Sequence, residues 1–241
     1  MTNPLVSVIT TVYNCEKFIE ESIKSIFNQT FRDFELIIYE DASTDKTWQK
    51  ILAAITDRNK KFMGYVRLVP GKTNVGCGEG RNRAINRAKG KYIAIQDSDD
   101  ISFQNRLQKE VEFLEENQDI FCVSAWADVI DEQGDFIEIF NYPPAYHKKI
   151  KKEIFEKKNN PIIDPASMFR RDIFNKLGGY DKKWGLVPDF NLWIRAMKEG
   201  YKFANIQEVL IHYRKHSGSV TNKYKMDVVK EHYKMCRDLF N

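Results

Sequence analysis

Two short runs of acidic residues are the segments of this chain whose residue types are best suited to bind a ligand. Residues 40–45 are Glu-Asp-Ala-Ser-Thr-Asp, and residues 97–100 are Asp-Ser-Asp-Asp. Each run follows an apolar segment typical of a buried strand, at 34–39 and at 92–96. Because ligands of open α/β sheets bind beyond the carboxyl ends of the strands, both runs are expected to face one ligand.

The run at 97–100 suits a divalent cation. Three ionised carboxylates within four residues repel one another in a low-dielectric cleft unless a cation offsets their charge. Hard oxygen ligands of this kind favour Mg²⁺ or Mn²⁺. The alternative is a solvated turn with an Asp or Ser helix cap, which is the commoner explanation of an isolated Asp-x-Asp.

Strands and helices alternate before and between these runs, which predicts a mostly parallel sheet flanked by helices. The predicted strands are 5–11, 34–40, 64–69 and 91–96, and the predicted helices are 16–28, 46–57, 79–88 and 104–117. Ser102 is expected to cap the last helix. Two further strands are predicted at 120–125 and within 128–140, where Gln133 and Gly134 form a turn.

The order of several motifs is more specific than any one of them. The motifs lie at 6–14, 25–31, 40–45, 74–76, 80–82, 90–93, 97–100, 189–195 and 213–216. Together they resemble glycosyltransferase family 2, whose members are inverting enzymes with a GT-A fold. The resemblance implies one Rossmann-like α/β domain over 1–241, with a nucleotide-binding half at about 1–100, an acceptor-binding half at about 101–220 and a helical tail at 221–241.

The same resemblance implies transfer of a hexosyl or N-acetylhexosaminyl group from a nucleotide-diphosphate donor, with UDP favoured, to a hydroxyl of a glycan or lipid-linked glycan. Surface polysaccharide or glycoconjugate assembly is the implied setting. Two alternatives stay open. One is a degenerate transferase that binds nucleotide or glycan without catalysis. The other is a sugar nucleotidyltransferase, which needs a glycine-rich loop after the first strand, whereas residues 10–18 contain no glycine.

The resemblance also assigns residues to the nucleotide. Thr11, Tyr13 and Asp41 match positions that bind the base, where the Tyr13 ring offers a stacking face and Asp41 an acceptor for the uracil imide. Plain packing is the alternative for Tyr13. Glu40 stands where the family commonly has Asp. Asp97 is implied to bind the ribose hydroxyls.

Arg81 is implied to contact the diphosphate from a helix that follows a glycine-rich loop. The alternative is that Arg81, Arg83 and Arg87 form a solvated helix face. Arg81 occupies the position of the third glycine in a dinucleotide fingerprint, so a nicotinamide enzyme is disfavoured.

The same resemblance assigns metal binding and catalysis to four further residues. Asp99 is the implied ligand of Mn²⁺ or Mg²⁺, and Asp100 is implied near the donor sugar or behind the ligand. His216 is the implied imidazole ligand, with a surface histidine as the alternative. Asp189 is the implied catalytic base, preceded by Pro188 where the family usually has Glu. A simple helix cap is the alternative for Asp189.

A basic segment at 147–158 holds six lysines and two glutamates, a net charge of +4 that equals the formal charge of the whole chain. Ile150, Ile154 and Phe155 recur at helical spacing. This pattern predicts an amphipathic helix with a solvated lysine face. Contact with an anionic acceptor or a membrane surface is the alternative.

The remaining composition argues against several protein classes. No run approaches the ~18 apolar residues of a membrane helix, and no secretory leader precedes the first predicted strand. Four scattered cysteines without Cys-x-x-Cys spacing disfavour a zinc site or a disulfide framework. No nucleic-acid-recognition motif accompanies the lysines. These features predict a cytoplasmic protein, with peripheral contact at the cytoplasmic membrane face through 147–158 as a further option.

Overall fold

The computed structural model describes residues 3–56, 65–141, 143–157, 160–219 and 223–240. Its strands are β1 (Val6–Val12), β2 (Phe34–Glu40), β3 (Tyr65–Pro70), β4 (Tyr92–Ile95), β5 (Ile101–Ser102), β6 (Ile120–Ile130), β7 (Phe136–Phe140), β8 (Met168–Arg170) and β9 (Lys202–Arg214). Its helices are α1 (Ile19–Phe27), α2 (Thr47–Thr56), α3 (Cys77–Ile85), α4 (Arg106–Glu116), α5 (His147–Lys157), α6 (Arg171–Lys176), α7 (Pro188–Lys198) and α8 (Lys225–Phe240). The eight elements predicted before residue 118 are all present, with ends shifted by three residues or fewer.

The described strands form one sheet in the order β3-β2-β1-β4-β8-β6-β9-β5, with β7 beside β6. The first four strands of this order are parallel, as predicted. Beyond β4 the sheet is mixed, because β8 is antiparallel to both β4 and β6, whereas β6 and β9 run parallel. The predicted turn between β6 and β7 is confirmed, with Gly134 at φ 95°.

Apolar side chains cover both faces of the sheet. Ile9 of β1 and Ile37 of β2 pack with α3, α5 and α7, whereas Val8 and Leu36 pack on the other face with α1, α2 and α4. Burial on both faces explains why the parallel strands are nearly continuous apolar runs. The pairing of Val12 with Glu40, and of Ile9 with Ile95, brings the carboxyl ends of β1, β2 and β4 to one edge.

The capping role predicted for Ser102 is wrong. Ser102 lies in β5, and α4 begins at Arg106 with Asn105 at its N-cap. The Ser102 hydroxyl instead donates to Gln96 at 2.5 Å and accepts from the fully buried Arg106 guanidinium at 3.0 Å. A buried guanidinium needs several acceptors, so it recruits the hydroxyl that local sequence assigned to a helix end.

The basic segment forms α5, and the amphipathic prediction is confirmed. Ile150 and Ile154 are fully buried, whereas Lys148, Lys149, Lys151 and Lys152 are exposed. The side chain of Lys157 and the whole of Lys158 lie outside the described part of the chain.

Two further sequence expectations bear on the whole chain. Cys15, Cys77 and Cys122 are free thiols, and the side chain of Cys236 lies outside the described part.

Among the described residues, no helix combines the length and apolar character needed to cross a bilayer.

Ala42 adopts a left-handed backbone conformation, with φ at 60°, in the turn after β2. This conformation costs an L-residue about 1–2 kcal/mol. Glycine also gives the unfolded chain more conformational entropy, which lowers stability by about 0.4–1 kcal/mol. The relief of strain outweighs this loss, so Ala42→Gly is expected to raise the free energy of unfolding by roughly 0.5–1 kcal/mol in urea denaturation. Ala53→Gly, at an exposed position in α2, should lower it by about 1 kcal/mol. Destabilisation by both substitutions would contradict the strain at Ala42.

Candidate functional site

The predicted site residues gather at the carboxyl edge of the parallel strands. Thr11 is the penultimate residue of β1 and Asp41 directly follows β2, while Asp97 lies just after β4. His216 follows β9, which reaches the same edge from the mixed half of the sheet. The fold therefore brings together residues from both ends of the chain.

Asp41 is 4% exposed and holds the loop that leads into α3. Its two carboxylate oxygens accept the backbone amides of Val75 at 2.8 Å and Gly76 at 2.9 Å. Burial raises the Asp41 pKa, and the two amides partly offset that rise. Each oxygen has a second lone pair, so a nucleobase N–H can still bind there.

Tyr13 and Thr11 line the same end of the sheet. Tyr13 is 47% exposed, so the core-packing alternative is wrong and the ring offers an accessible face. Thr11 Oγ1 lies 3.6 Å from Cys77 Sγ, at the first turn of α3. A Cβ at Gly80 would lie 3.0 Å from the Tyr39 ring and 3.2 Å from the Thr11 methyl, so glycine permits α3 to pack this close to β1 and β2.

Arg81 is at the centre of a buried charge cluster. It is 3% exposed, and its Nη2 donates to Asp97 Oδ1 at 2.6 Å while its Nη1 lies 2.5 Å from Asp164 Oδ2. The solvated-face alternative is therefore wrong for Arg81, although Arg83 and Arg87 are exposed. Burial raises the pKa of Asp97 despite the guanidinium, and it raises the pKa of Asp164 to about 7.

Asp164 was missed from the sequence. It opens a short 3-10 turn, Asp164–Ala166, immediately before β8. Its one local signal is an acidic residue in an otherwise apolar stretch at 161–166, and nothing there indicates that its partner is Arg81.

Asp99 and His216 face each other, with Oδ2 and Nε2 only 2.8 Å apart across 117 positions of sequence. The surface-histidine alternative is wrong, because the His216 side chain is only 14% exposed and its ring lies 4.7 Å from that of Phe18. Asp100 lies behind this pair and is 1% exposed. Asp100 Oδ1 accepts the Arg214 amide at 2.8 Å, which ties the acidic run to the end of β9 and brings His216 to Asp99.

The Asp99 and His216 pair fits a divalent cation. At 2.8 Å the two atoms are in direct hydrogen-bond contact, and two neighbouring ligands ~2.1 Å from an octahedral cation would lie at a similar separation of about 3.0 Å. Among the described residues, no group of three or more His, Cys, Asp and Glu side chains has the geometry of a metal site. A cation held by this pair would thus depend on phosphate oxygens and water for its other ligands, as Mg²⁺ sites commonly do.

Asp189 lies in the first turn of α7, near Asp97 and Asp164. Its Oδ2 accepts from Asn160 Nδ2 at 2.9 Å, and its charge contributes to the raised pKa values of Asp97 and Asp164. The N-cap of α7 is Val187, so Asp189 is not the capping residue, although its place in the first turn is one that the helix dipole favours for a carboxylate.

Two neighbours of Asp189 were not expected from the sequence. A Cβ at Gly78 would lie 2.9 Å from Pro188 Cβ, so the first turns of α3 and α7 touch where Pro188 stands. From α8, the His232 ring lies 4.2 Å from Phe190. Burial lowers the His232 pKa, and the charge of Asp189 partly offsets this. The C-terminal helix therefore packs against α7 near Asp189.

This architecture defines a GT-A fold of the glycosyltransferase class. The mannosyltransferase PcManGT from Pyrobaculum calidifontis, solved in complex with GDP-Man and Mn²⁺, matches it with a TM-score of 0.75. The match covers 99% of this chain and 65% of that one at 18% identity, so it demonstrates the fold alone.

Sequence comparison is more specific. The model of glycosyl transferase family 2 matches residues 7–178, and the chain belongs to this family. An uncharacterized glycosyltransferase from Methanocaldococcus jannaschii is 39% identical over 215 residues, which cover 89% of this chain and 72% of that protein. The Escherichia coli UDP-Glc:alpha-D-GlcNAc-diphosphoundecaprenol beta-1,3-glucosyltransferase WfaP is 32% identical over 224 residues, covering 92% and 82%. The family match includes Arg81 and Asp164 but ends before Asp189 and His216.

Proposed function

We propose that this protein is an inverting glycosyltransferase that moves a hexosyl or N-acetylhexosaminyl group from a UDP-linked donor to a glycan hydroxyl. The observation that carries the proposal is the contact of Asp99 with His216, 2.8 Å apart beside Asp97 and Asp41. A UDP-linked donor is named for WfaP, and Mn²⁺ accompanies the PcManGT complex. We extend both to this chain, with Mn²⁺ or Mg²⁺ as the cofactor.

The nucleotide is assigned to the ends of β1, β2 and β4. Tyr13 stacks on the base through its exposed ring, while Thr11 and Asp41 line the base pocket. Asp97 accepts from the ribose hydroxyls. Arg81 has five N–H groups, of which two hold Asp97 and Asp164, and we assign to the others the contact with the diphosphate.

Asp99 and His216 would hold the divalent cation, as their separation permits. When bound, the cation supplies a Lewis acid that offsets the charge on the departing nucleoside diphosphate. The carboxylates at 97–100 otherwise repel the diphosphate, so the chain needs the cation to bind its donor.

Asp189 is the proposed general base. Its carboxylate takes the proton from the acceptor hydroxyl as the oxygen attacks the anomeric carbon, and one displacement inverts the configuration there. Asn160 donates to Oδ2 at 2.9 Å and so fixes the orientation of the carboxylate. Geometric fixing of this kind contributes to rate because misplacement of a reacting group by about 1 Å is costly.

We propose that the chain is divided into a nucleotide-binding half and an acceptor-binding half, as the family resemblance implies. Residues up to about 100 bind the nucleotide and residues from about 101 to 220 bind the acceptor within one domain over 1–241, and the tail proposed for 221–241 is helical in its described part, α8 (Lys225–Phe240). We propose a glycan or lipid-linked glycan acceptor in surface polysaccharide or glycoconjugate assembly, since WfaP is named for a diphosphoundecaprenol-linked acceptor. We place the protein in the cytoplasm, with α5 against the membrane face.

A second candidate is a protein of this family that binds a nucleotide or glycan without transfer. It is favoured by the contacts that already engage both oxygens of Asp41 and two nitrogens of Arg81 within the chain. UDP release from a panel of UDP-sugars with Mn²⁺ and candidate acceptors separates the two. The proposed enzyme releases UDP from at least one donor, and binding without release would support the second candidate.

The exposed lysines of α5 give a separate prediction. Replacing Lys148, Lys149, Lys151 and Lys152 with Gln is expected to weaken binding to anionic vesicles by about 1 kcal/mol per charge at low salt. Hydrolysis of the donor should survive, because α5 lies outside the nucleotide site. Cosedimentation with phosphatidylserine vesicles measures the effect.

The matched control replaces four exposed lysines outside α5, Lys24, Lys89, Lys176 and Lys198, and removes the same total charge. Equal weakening by both variants, or no vesicle binding by the parent protein, would contradict a membrane-facing role for α5.

A further inference from the structure

The structure assigns Asp164 a positioning role: it holds Arg81, and through Arg81 it orients Asp97 in the donor site. The three side chains are joined by charge-assisted contacts in the order Asp164, Arg81, Asp97, and Asp97 is the most exposed of them. Asp164 is 8% exposed and Arg81 is 3% exposed, whereas the Asp97 side chain is 31% exposed. The two contacts, at 2.5 and 2.6 Å, use different terminal nitrogens of the guanidinium.

These contacts join elements that lie far apart in the chain. Asp164 precedes β8, Arg81 lies in α3, and Asp97 follows β4. The planar guanidinium fixes the relative orientation of its two partners, because its donors form a rigid fork. Any rotation of Arg81 would therefore move Asp97, and Asp164 is the buried contact that opposes such a rotation.

Stability alone does not explain an aspartate at position 164. Two carboxylates share one guanidinium, and Asp189 adds further negative charge nearby. Asp164 Oδ1 and the Tyr180 hydroxyl are buried and have no hydrogen-bond partner among the described residues. A buried acceptor left in this state costs free energy, and the excess charge adds to the cost.

An asparagine at position 164 would keep a hydrogen bond to Arg81 without the excess charge. The carboxylate adds a stronger grip on the guanidinium, because a charge-assisted hydrogen bond is about twice as strong as a neutral one. A carboxylate whose burial carries a cost but which holds Arg81 more tightly is best explained by its effect on the donor site. The inference rests on the proposed function, since it gives Asp97 its purpose there.

The test is Asp164→Asn, with two measurements on the same protein. The free energy of unfolding in urea is expected to stay equal or to rise. The KM for the donor is expected to rise about ten- to hundredfold, the usual cost of losing a residue that orients a ligand-binding group. Asp172→Asn, an exposed carboxylate in α6, is the control and should change neither quantity.

A double-mutant cycle tests whether Asp164 acts through Asp97. If it does, Asp97→Asn combined with Asp164→Asn should raise the donor KM by clearly less than the product of the two single effects, because Asp164 then acts partly through the side chain that Asp97→Asn has already altered. Additive effects would overturn the inference, as would an unchanged KM or a loss of stability that parallels the loss of activity. If the wild-type protein shows no donor turnover, the proposed function itself fails. Wild-type turnover with an unaffected Asp164→Asn variant overturns the positioning role alone.

Discussion

Asp189→Asn is expected to lower sugar transfer by about 10² to 10⁴-fold while leaving the affinities for UDP and the cation nearly unchanged. The amide keeps the shape of the side chain, and its oxygen can still accept from Asn160. It loses the basicity needed to take the acceptor proton. Steady-state kinetics with a confirmed acceptor, together with calorimetric titration of UDP, separate these two effects.

Asp227→Asn is a suitable control, because that carboxylate is exposed in the first turn of α8 and pairs with Lys230. It should leave transfer intact. Near-wild-type turnover by Asp189→Asn would remove Asp189 from the chemistry. A matching loss of UDP affinity would instead make it a binding residue.

Asp99→Ala is expected to abolish sugar transfer at every Mn²⁺ concentration. The substitution removes the carboxylate that faces His216 at 2.8 Å and leaves one side-chain ligand where the site needs two. Titration of transfer against Mn²⁺ from micromolar to millimolar concentration measures the effect. No added cation should restore the parent rate.

The chain contains a matched control for this substitution. Asp128 of β6 and His212 of β9 form a second Asp and His pair, 3.7 Å apart, between two neighbouring strands. Asp128→Ala should leave the Mn²⁺ titration unchanged. If Asp99→Ala behaves like Asp128→Ala, Asp99 does not hold the cation.

The sequence was most informative where structure is local. The apolar runs and helical stripes of residues 5–117 predicted β1 to β4 and α1 to α4, though not the short β5, since periodicity and turn residues report on neighbours in the chain. The acidic runs at 40–45 and 97–100 were placed at one edge for the same reason, because parallel strands separated by helices end on the same side.

What depends on distant contacts was harder to predict. Ser102 was assigned to a helix cap because its partner Arg106, four residues on, is buried by contacts that include the carbonyls of Ile95 and Ser167, which local sequence does not reveal. Asp164 was overlooked because its partner Arg81 is distant in the chain. His216 was placed only through a family motif, and the tie between Asp100 and Arg214 that brings it to Asp99 became visible in the fold.

The central claim is that this acidic edge binds a nucleoside diphosphate together with a divalent cation. The most direct measurement is the change in Tm on adding UDP, with Mn²⁺ and then with excess chelator. Binding to the folded state raises Tm by mass action, and the carboxylates at 97–100 repel the diphosphate when no cation is present. We predict a rise in Tm with UDP and Mn²⁺ together that is lost in chelator. An equal rise in chelator, or no rise under either condition, would contradict the account.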